Sequence, residues 1–509
     1  IAFITKSRLK KRTMPTVKEI TTMCKAGNIT EAYNAAKADL ADSPQNVWAQ
    51  RGIGWALYYM LKTDIDGQKR LDFFTHMEEL AGLDMLTIEA DSLIFDNVLW
   101  KVADFVKHTP KENIPEIERL FFLVSKYTFT PSKGYSYLLR TYLDFKGWNH
   151  LTDFLEWWNL DNLLPEDYQQ FKLESGKKAM SLAERSYIAY AKAILGLNDQ
   201  NKIHEFLPKL EKLMEDYPEM MYPGYFCAKL KLAINTEKEE ALNSVMPFVR
   251  KKQSEFWVWQ LLSEIYKNEP EIHQACLLRA VHCKTQEAFL VNVRKALIAT
   301  YLSQRDYPRA KYQLDQIIRC FMQEGWRLPY EIQNWTTESW IQNTTADSSD
   351  GMEYKKTTDT ILSHGANESI AAVTYVDATN KQAILVYGEK KSVRVKFSDL
   401  RIQIKEGEIL KLHWIPKKDE RINIVNAELL DWTALEDNAY IKTIDGSIEK
   451  PANKPFAFLK GQEMNCFITP NVVQQYNLNG EENVSALAVY TYNKKKEEWN
   501  WSCVSLKKK

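Results

Sequence analysis

Three phenylalanines near the end of the chain have the side-chain type and the spacing needed to stack on unpaired bases. The rings belong to Phe456, Phe458 and Phe467. Aromatic side chains on neighbouring strands hold single-stranded nucleic acid with little sequence preference, at roughly 1–3 kcal/mol per stacked base. The lysines beside these rings are suited to contact phosphates, and they are Lys450, Lys454 and Lys460. The segment therefore predicts a binding site for single-stranded RNA or DNA.

An alternative interpretation places the same three rings in a hydrophobic core. Side chains alternate between the two faces of a strand, so Phe456 and Phe458 share one face while Ala457 and Leu459 share the other. One of these faces must be buried. Burial of Ala457 and Leu459 would leave the rings on the surface, and burial of the rings would make them structural. The sequence alone leaves both arrangements open.

The elements that must position these rings are short strands. From Ser369 onward the pattern of apolar residues changes from a helical period to a period of two. A first set of predicted strands occupies residues 370–376, 382–387, 393–397, 409–414 and 422–425. A second set occupies residues 439–448, 456–459, 465–468, 485–492 and 499–506. Such sets suit the five-stranded OB barrel, so we expect two all-β OB/cold-shock-like barrels in tandem, at residues 369–432 and 433–509.

The second set of strands resembles a cold-shock domain. Lys454-Pro-Phe-Ala-Phe-Leu459 stands where the family has K-G-F-G-F-I, and Cys466-Phe-Ile-Thr469 stands where it has V-F-V-H. Gly446-Ser-Ile448 matches the glycine-led strand with which the family begins. The resemblance implies that the three rings form a stacking platform. Pro455 and Ala457 replace the two glycines of the first motif, so the backbone there departs from the family pattern.

The first set is similar to another segment of the same family. Val395-Lys-Phe-Ser-Asp-Leu400, followed by Glu406-Gly407, aligns with the pattern F-V-H-F-S-x-[IL]…E-G. Lys381-Gln-Ala-Ile-Leu385 carries no rings where the first aromatic motif belongs. This set is therefore either structural or a contact for the nucleic-acid backbone. The resemblance adds as candidate binding residues Phe397, Lys396 and Arg394.

The part of the chain before the strands, residues 14–342, has a repeated helical pattern. Trp259-x-x-Leu-Ser-x-x-Tyr266, followed by Ala275, resembles the tetratricopeptide (TPR) pattern W-x2-L-G-x2-Y…A. Matching offsets recur further on, at Leu297, Tyr301 and Ala310. The resemblance implies an all-α TPR-like superhelical array, in which helix pairs stack on one another to bury their apolar sides.

The concave surface of such an array is a candidate site for a protein partner. Aromatic side chains that could line this groove are Trp55, Tyr58, Tyr59 and Trp257. Core packing is the alternative for each of them, because large rings also stabilise helix–helix contacts. We expect a protein partner in the TPR groove.

The remaining predictions concern a linker, the start of the chain, the state of the cysteines and membrane association. Asn343–Gly351 is rich in turn-forming residues and predicts a linker at 343–368. Met14-Pro15 has the character of a native start, so residues 1–13 are interpreted as an added or upstream extension. The scattered cysteines form no CxxC pair, which is typical of a reduced, cytoplasmic protein. No apolar run reaches the length of about 18 residues that a membrane span needs, so we expect no membrane association.

Charge and motif content argue against catalysis and metal binding. The chain has 67 basic and 67 acidic residues, so any attraction to nucleic acid must come from the local placement of charge. The cluster His273, Cys276, His282 and Cys283 lacks the close ligand pairs of a zinc site, and burial explains it better. No Walker A, HExxH, GxSxG or dinucleotide-binding glycine motif is present. We expect no enzymatic activity, cofactor, metal or small-molecule substrate.

A TPR array followed by S1/cold-shock-like domains resembles accessory proteins of bacterial TOTE-type conflict systems. The resemblance implies a non-enzymatic adaptor that binds single-stranded nucleic acid through its barrels and a protein through its helices. The alternative is a purely protein-binding TPR scaffold whose barrels no longer bind nucleic acid. The zero net charge and the loss of the family glycines at Pro455 and Ala457 favour that alternative.

Overall fold

The chain forms two compact units, divided between Ala241 and Leu242. The computed structural model describes residues 15–172, 176, 178–349, 353–417, 421–435, 438–493 and 497–508. The predicted extension at residues 1–13 lies outside these ranges. Helices make up the first unit, whereas helices followed by strands make up the second.

The first unit consists of helices that pack in series. They are α1 (Val17–Lys25), α2 (Ile29–Asp42), α3 (Val47–Asp66), α4 (Arg70–Ala81), α5 (Ser92–Lys107), α6 (Ile114–Val124), α7 (Lys133–Tyr142), α8 (Leu151–Trp158), α9 (Leu182–Leu197), α10 (Gln200–Asp216) and α11 (Pro223–Ala233). Each odd-numbered helix contacts the next odd-numbered one from α1 to α11, and α2, α4 and α10 pack against this series. One hydrophobic core runs through the unit, from Ile20 to Leu230.

Local sequence explains where these helices begin and how closely they approach. Thr16 and Glu19 form a capping box at the start of α1, with Thr16 Oγ1 accepting from the Glu19 N–H at 3.3 Å. Gly54 lies where α3 meets α5. A Cβ at this position would lie 3.1 Å from Leu86 Cδ1 and 3.4 Å from Ile94 Cδ1. The missing side chain therefore permits the close contact between the two helices.

The second unit begins with further helices. They are α12 (Lys238–Lys252), which crosses the division, then α13 (Phe256–Ile265), α14 (Pro270–Val281), α15 (Glu287–Ser303), α16 (Tyr307–Gln323), α17 (Tyr330–Thr337), α18 (Ser339–Gln342) and α19 (Glu353–Leu362). Helices α13 to α16 pack consecutively, and α19 packs on α14. Helix α19 lies inside the predicted linker 343–368 and buries Tyr354, Thr358, Ile361 and Leu362. The predicted domain boundaries themselves stay predictions.

The first β domain is an antiparallel five-stranded sheet. Its strands are β1 (Asn367–Asp377), β2 (Gln382–Gly388), β3 (Lys391–Lys396), β4 (Ile409–Pro416) and β5 (Ile422–Leu430). The strand order is β3-β2-β1-β4-β5. The short helix α20 (Phe397–Leu400) follows β3 and contacts β5. The inner face of the sheet buries Ala371, Val373, Leu385, Leu410 and Leu412 in one core.

The second β domain is a closed barrel in the order β10-β8-β7-β6-β9. Its strands are β6 (Ile441–Glu449), β7 (Ala457–Gly461), β8 (Asn465–Ile468), β9 (Asn483–Asn493) and β10 (Glu498–Lys508), and helix α21 (Pro470–Gln475) follows β8. Counted from its own first strand, this order repeats that of the first β domain. Closure comes from a parallel pairing of β8 with β10, in which Phe467 lies opposite Ser502.

A hydrophobic cluster joins the two β domains. It combines the outer face of the first sheet with the outer face of the barrel, through Ala372, Val386, Ile409, Leu435, Ile441, Leu487, Val489 and Val504. Tyr440 adds a hydrogen bond across the junction, from its hydroxyl to the Ile370 carbonyl oxygen at 2.8 Å. Gly407 has a φ of +84°, and a Cβ on it would lie 2.1 Å from Ser505 Cβ. The two domains are therefore packed directly against each other.

The predicted fold class, an all-α region followed by all-β OB-like domains, is confirmed. The assignment of the helices to TPR repeats stays a prediction. None of the described helices is both long and apolar enough to cross a membrane. No disulfide joins any of the seven cysteines.

Candidate nucleic-acid interface

The three phenylalanines lie on the outside of the barrel. Ala457 and Leu459 of β7 are fully buried in the barrel core, and so are Cys466 and Ile468 of β8. Alternation along each strand then directs the rings of Phe458 and Phe467 to the outer face, where they are half-buried. Of the two arrangements that the sequence left open, the structure has the one with the rings on the surface.

The rings form one compact cluster. Phe458 of β7 lies directly opposite Phe467 of β8 in the antiparallel pairing, and their ring centroids are 5.8 Å apart. Phe456 precedes β7 and contacts both, at 5.7 Å from Phe458 and 5.6 Å from Phe467. The outer face of the second and third strands is the surface with which OB barrels hold oligonucleotides. The ring cluster, defined as Phe456, Phe458 and Phe467, occupies this surface.

The three predicted lysines differ in what they contact. Lys460 Nζ lies 5.9 Å from the centroid of the Phe458 ring and 3.3 Å from the Glu449 carboxylate. Lys450 Nζ donates to the Leu478 carbonyl oxygen at 3.1 Å. Lys454 is exposed in the loop between β6 and β7. Lys460 is thus the cation beside the rings, and Glu449 partly offsets its charge.

A groove of about 950 Å³ runs along β6 and includes Lys460 in its lining. Its charged side chains are Lys442, Lys460, Lys507, Asp431, Asp445 and Glu463, so cations and anions are equal in number. The balanced charge agrees with the zero net charge of the whole chain. Recognition here would depend on ring contacts and on local lysines more than on long-range attraction.

Sequence reasoning missed a second set of rings, on the hairpin of β9 and β10. Trp499 lies opposite Tyr492, and Trp501 lies opposite Tyr490. Their ring centroids are 5.5 Å apart in both pairs. Lys442 Nζ lies 5.6 Å from the centroid of Trp501. The signal was present in the sequence, as two aromatic residues at alternate positions on each side of one turn.

The candidates in the first β domain do not form such a surface. Arg394 and Lys396 lie exposed on one face of β3, on either side of the buried Val395. Phe397 begins α20 and packs its half-buried ring against the core of the first β domain. The pairing partners of Arg394 and Lys396 on β2 are Ile384 and Gln382, so no ring lies opposite either cation.

The candidates for the helical groove fall in different units. Trp55, Tyr58 and Tyr59 share α3 and contact one another edge to face, at 6.0 Å for Trp55–Tyr58 and 4.9 Å for Tyr58–Tyr59. All three are half-buried against the core of the first unit. Trp257 belongs to α13 in the second unit, where its ring lies 5.3 Å from that of Phe248.

The histidines and cysteines considered for zinc have other surroundings. One ring nitrogen of His273, Nδ1, lies 2.8 Å from the Ser263 carbonyl oxygen. Cys276 is fully buried, and burial raises the pKa of its thiol. Burial likewise raises the pKa of Cys283 to about 11. In the part of the chain that the structure describes, no three His, Cys, Asp or Glu side chains are arranged to hold a metal ion.

Two segments of the chain match known families. Residues 442–506, which span nearly the whole barrel, match the family described as S1/CSD-like domain 2 of the TOTE conflict systems. Residues 221–360, from α11 to α19, match a family described as a domain of unknown function, DUF7017. No curated protein matches the chain. The first match agrees with the cold-shock resemblance of the barrel and suggests nucleic-acid binding and a conflict-system role.

Proposed function

We propose that this protein is a non-enzymatic adaptor that binds single-stranded nucleic acid through its closed barrel, as part of a TOTE conflict system. The observation that carries the proposal is the ring cluster on the outer face of β7 and β8. Its rings are half-buried while the residues alternating with them fill the core. The match of residues 442–506 to an S1/CSD-like domain of these systems supports the same function.

The mechanism is base stacking with local charge compensation. Three half-buried rings whose centroids lie 5.6–5.8 Å apart offer faces for neighbouring bases. Lys460 lies beside Phe458 and is placed to contact a phosphate. Lys454 extends the basic path along the loop that enters β7. The groove along β6 adds the opposite charges of Asp445 and Glu463, which favours modest affinity.

The test is a fluorescence-anisotropy titration of the full chain with labelled single-stranded RNA and DNA at two salt concentrations. Replacement of both Phe456 and Phe458 by alanine should weaken binding by at least about 2 kcal/mol, since each stacked base contributes roughly 1–3 kcal/mol. The matched control replaces two other exposed rings, Phe122 and Phe171, by alanine. Circular dichroism should show the same fold for all three proteins.

Two results would contradict the proposal in different ways. Undiminished binding by the Phe456→Ala/Phe458→Ala variant would show that the ring cluster is not the site. Absence of binding by the unmodified protein, even at low salt, would remove the nucleic-acid function itself. The protein would then be the alternative, a protein-binding scaffold, which the pairing of Lys460 with Glu449 beside the rings favours.

The adaptor role requires a protein partner for the helices. The helices of the first unit support it because they pack in series, as in arrays that bind proteins on a concave surface. Affinity purification of the full chain, compared with a variant in which Trp55 and Tyr58 are alanine, tests the α3 aromatic residues as the contact. Loss of a partner from the variant alone would support them, and an unchanged set of partners would exclude them.

A further inference from the structure

A pocket of about 700 Å³ opens in the first unit between the loop that joins α7 to α8 and one face of α9. Helix α9 contributes Arg185, Ile188, Ala189, Lys192 and Ala193, which recur at the three- and four-residue spacing of a single helix face. The two alanines leave space above the helix, and the loop residues close the opposite side. The volume is within the usual range of ligand sites, about 300–1,000 Å³.

Two lysines line this pocket without an ion-pair partner among the described residues, and a third lies near one of them. Lys146 and Lys192 line it, and Lys229 of α11 is close enough to Lys192 to influence its titration. Burial, with the like charges of Lys146 and Lys229, lowers the pKa of Lys192. None of the three forms an ion pair within the described residues, whereas Arg185 is bound to Asp144 at 2.8 Å. Neighbouring like charges repel one another, so an anion bound here would stabilise the protein.

The apolar lining of the pocket includes four aliphatic side chains. Leu143, Leu151, Met180 and Leu197 line it, with Met180 and Leu197 exposed by 40% and 58%.

The lining favours a peptide over a nucleotide. The pocket's two aromatic side chains, Phe145 and Trp148, are only 2% and 4% exposed, so neither presents a face for a base. The half-buried rings of the barrel present such faces. Aliphatic side chains beside unpaired lysines instead match an aliphatic anchor residue flanked by carboxylates.

We propose that this pocket binds an acidic peptide segment of a partner protein, with an aliphatic side chain between α9 and the α7–α8 loop and carboxylates on Lys146 and Lys192. The inference rests on the adaptor role proposed above, and it specifies the chemistry of the partner's segment and the pocket in which that segment binds.

The test measures fluorescence anisotropy with the full chain and the labelled peptide Asp-Glu-Leu-Leu-Glu-Asp. Two further peptides separate the contributions: Asn-Gln-Leu-Leu-Gln-Asn lacks the charges, and Asp-Glu-Ser-Ser-Glu-Asp lacks the aliphatic anchors. Both should bind more weakly than the first. Replacing Lys146 and Lys192 by glutamate should weaken binding of the first peptide by about tenfold or more, because like charges then meet at the interface.

Controls separate this proposal from the nucleic-acid function. Lys126→Glu reverses another exposed lysine of the first unit and should leave peptide binding unchanged. The Lys146→Glu/Lys192→Glu variant should retain the unmodified protein's affinity for single-stranded RNA. Failure of the acidic peptide to bind, or equal binding of the acidic and uncharged peptides, would overturn the proposal. A loss of RNA binding in the lysine variant, without a change in peptide binding, would assign the pocket to nucleic acid instead.

Discussion

The two β domains share a strand order but use their outer faces differently. In the first, the outer face of β1, β2 and β4 is covered by the barrel through Ala372, Val386 and Ile409. In the barrel, the covered face belongs to β6, β9 and β10, while the face of β7 and β8 carries the ring cluster. The same strand order thus has its outer face covered by a neighbouring domain in one case and leaves a face that carries the ring cluster uncovered in the other. The difference lies in which strands the neighbouring domain covers.

The largest expected effect is a loss of stability when the packing at the junction between the two β domains is disturbed. Gly407→Ala should lower the free energy of unfolding by about 2–5 kcal/mol, because it combines a left-handed backbone with an overlap against Ser505 Cβ. Gly365→Ala is the matched control, since Gly365 has a φ of +67° but nothing within 4 Å of the added Cβ. Urea denaturation of both variants checks this. Equal destabilisation would mean that the contact with Ser505 contributes nothing.

A second pair of variants tests whether the ring on the outer face of the barrel contributes to binding and the ring in the first β domain contributes to stability. Phe467→Ala should weaken single-strand binding by about 1–3 kcal/mol with little effect on stability, because the ring lies on the outer face. Phe397→Ala should do the reverse, lowering stability by about 1–3 kcal/mol with unchanged affinity, because its ring packs on a core. Anisotropy and thermal denaturation measure the two effects. Weaker binding by Phe397→Ala would give the first domain a part in recognition.

Tyr440→Phe should have a smaller effect on the junction. It removes the hydroxyl that donates to the Ile370 carbonyl oxygen at 2.8 Å, with the Tyr387 carbonyl oxygen at 3.2 Å as a second acceptor. The loss should be about 0.5–1.5 kcal/mol, the usual net contribution of one hydrogen bond. Chemical denaturation at constant pH provides the measurement. A change beyond this range would indicate that the carbonyl oxygens are left unsatisfied.

The smallest expected effect concerns one lysine in each domain. Lys460 pairs with Glu449 beside the rings, and Lys411 pairs with Glu368 on the first sheet. Lys460→Ala should lower the slope of log affinity against log salt by about 1, as for one lost phosphate contact. Lys411→Ala should leave that slope unchanged. Equal slopes for both variants would show that Lys460 does not contact phosphate.

The sequence predicted the strands, and it predicted that Phe456 and Phe458 share one face of a strand, because both follow from alternation along a single strand. It could not choose between the two faces of β7, since that choice depends on which side the other strands enclose. Lys450 shows the same limit, because its donation to the Leu478 carbonyl oxygen joins residues distant in sequence. The sequence does contain one indication of the junction between the two β domains. Ser485-Ala-Leu-Ala-Val489 is apolar at nearly every position, as expected for a strand buried on both faces.

The junction also has a consequence for the order in which the chain is made. Strands β1, β2 and β4 leave the ribosome before β9 and β10, so Ala372, Val386 and Ile409 meet water until Leu487 and Val489 arrive. Exposed apolar surface on a nascent chain is a target for chaperones and a start for aggregation. A chain whose translation stops before β9 would therefore keep this apolar surface exposed and prone to aggregation.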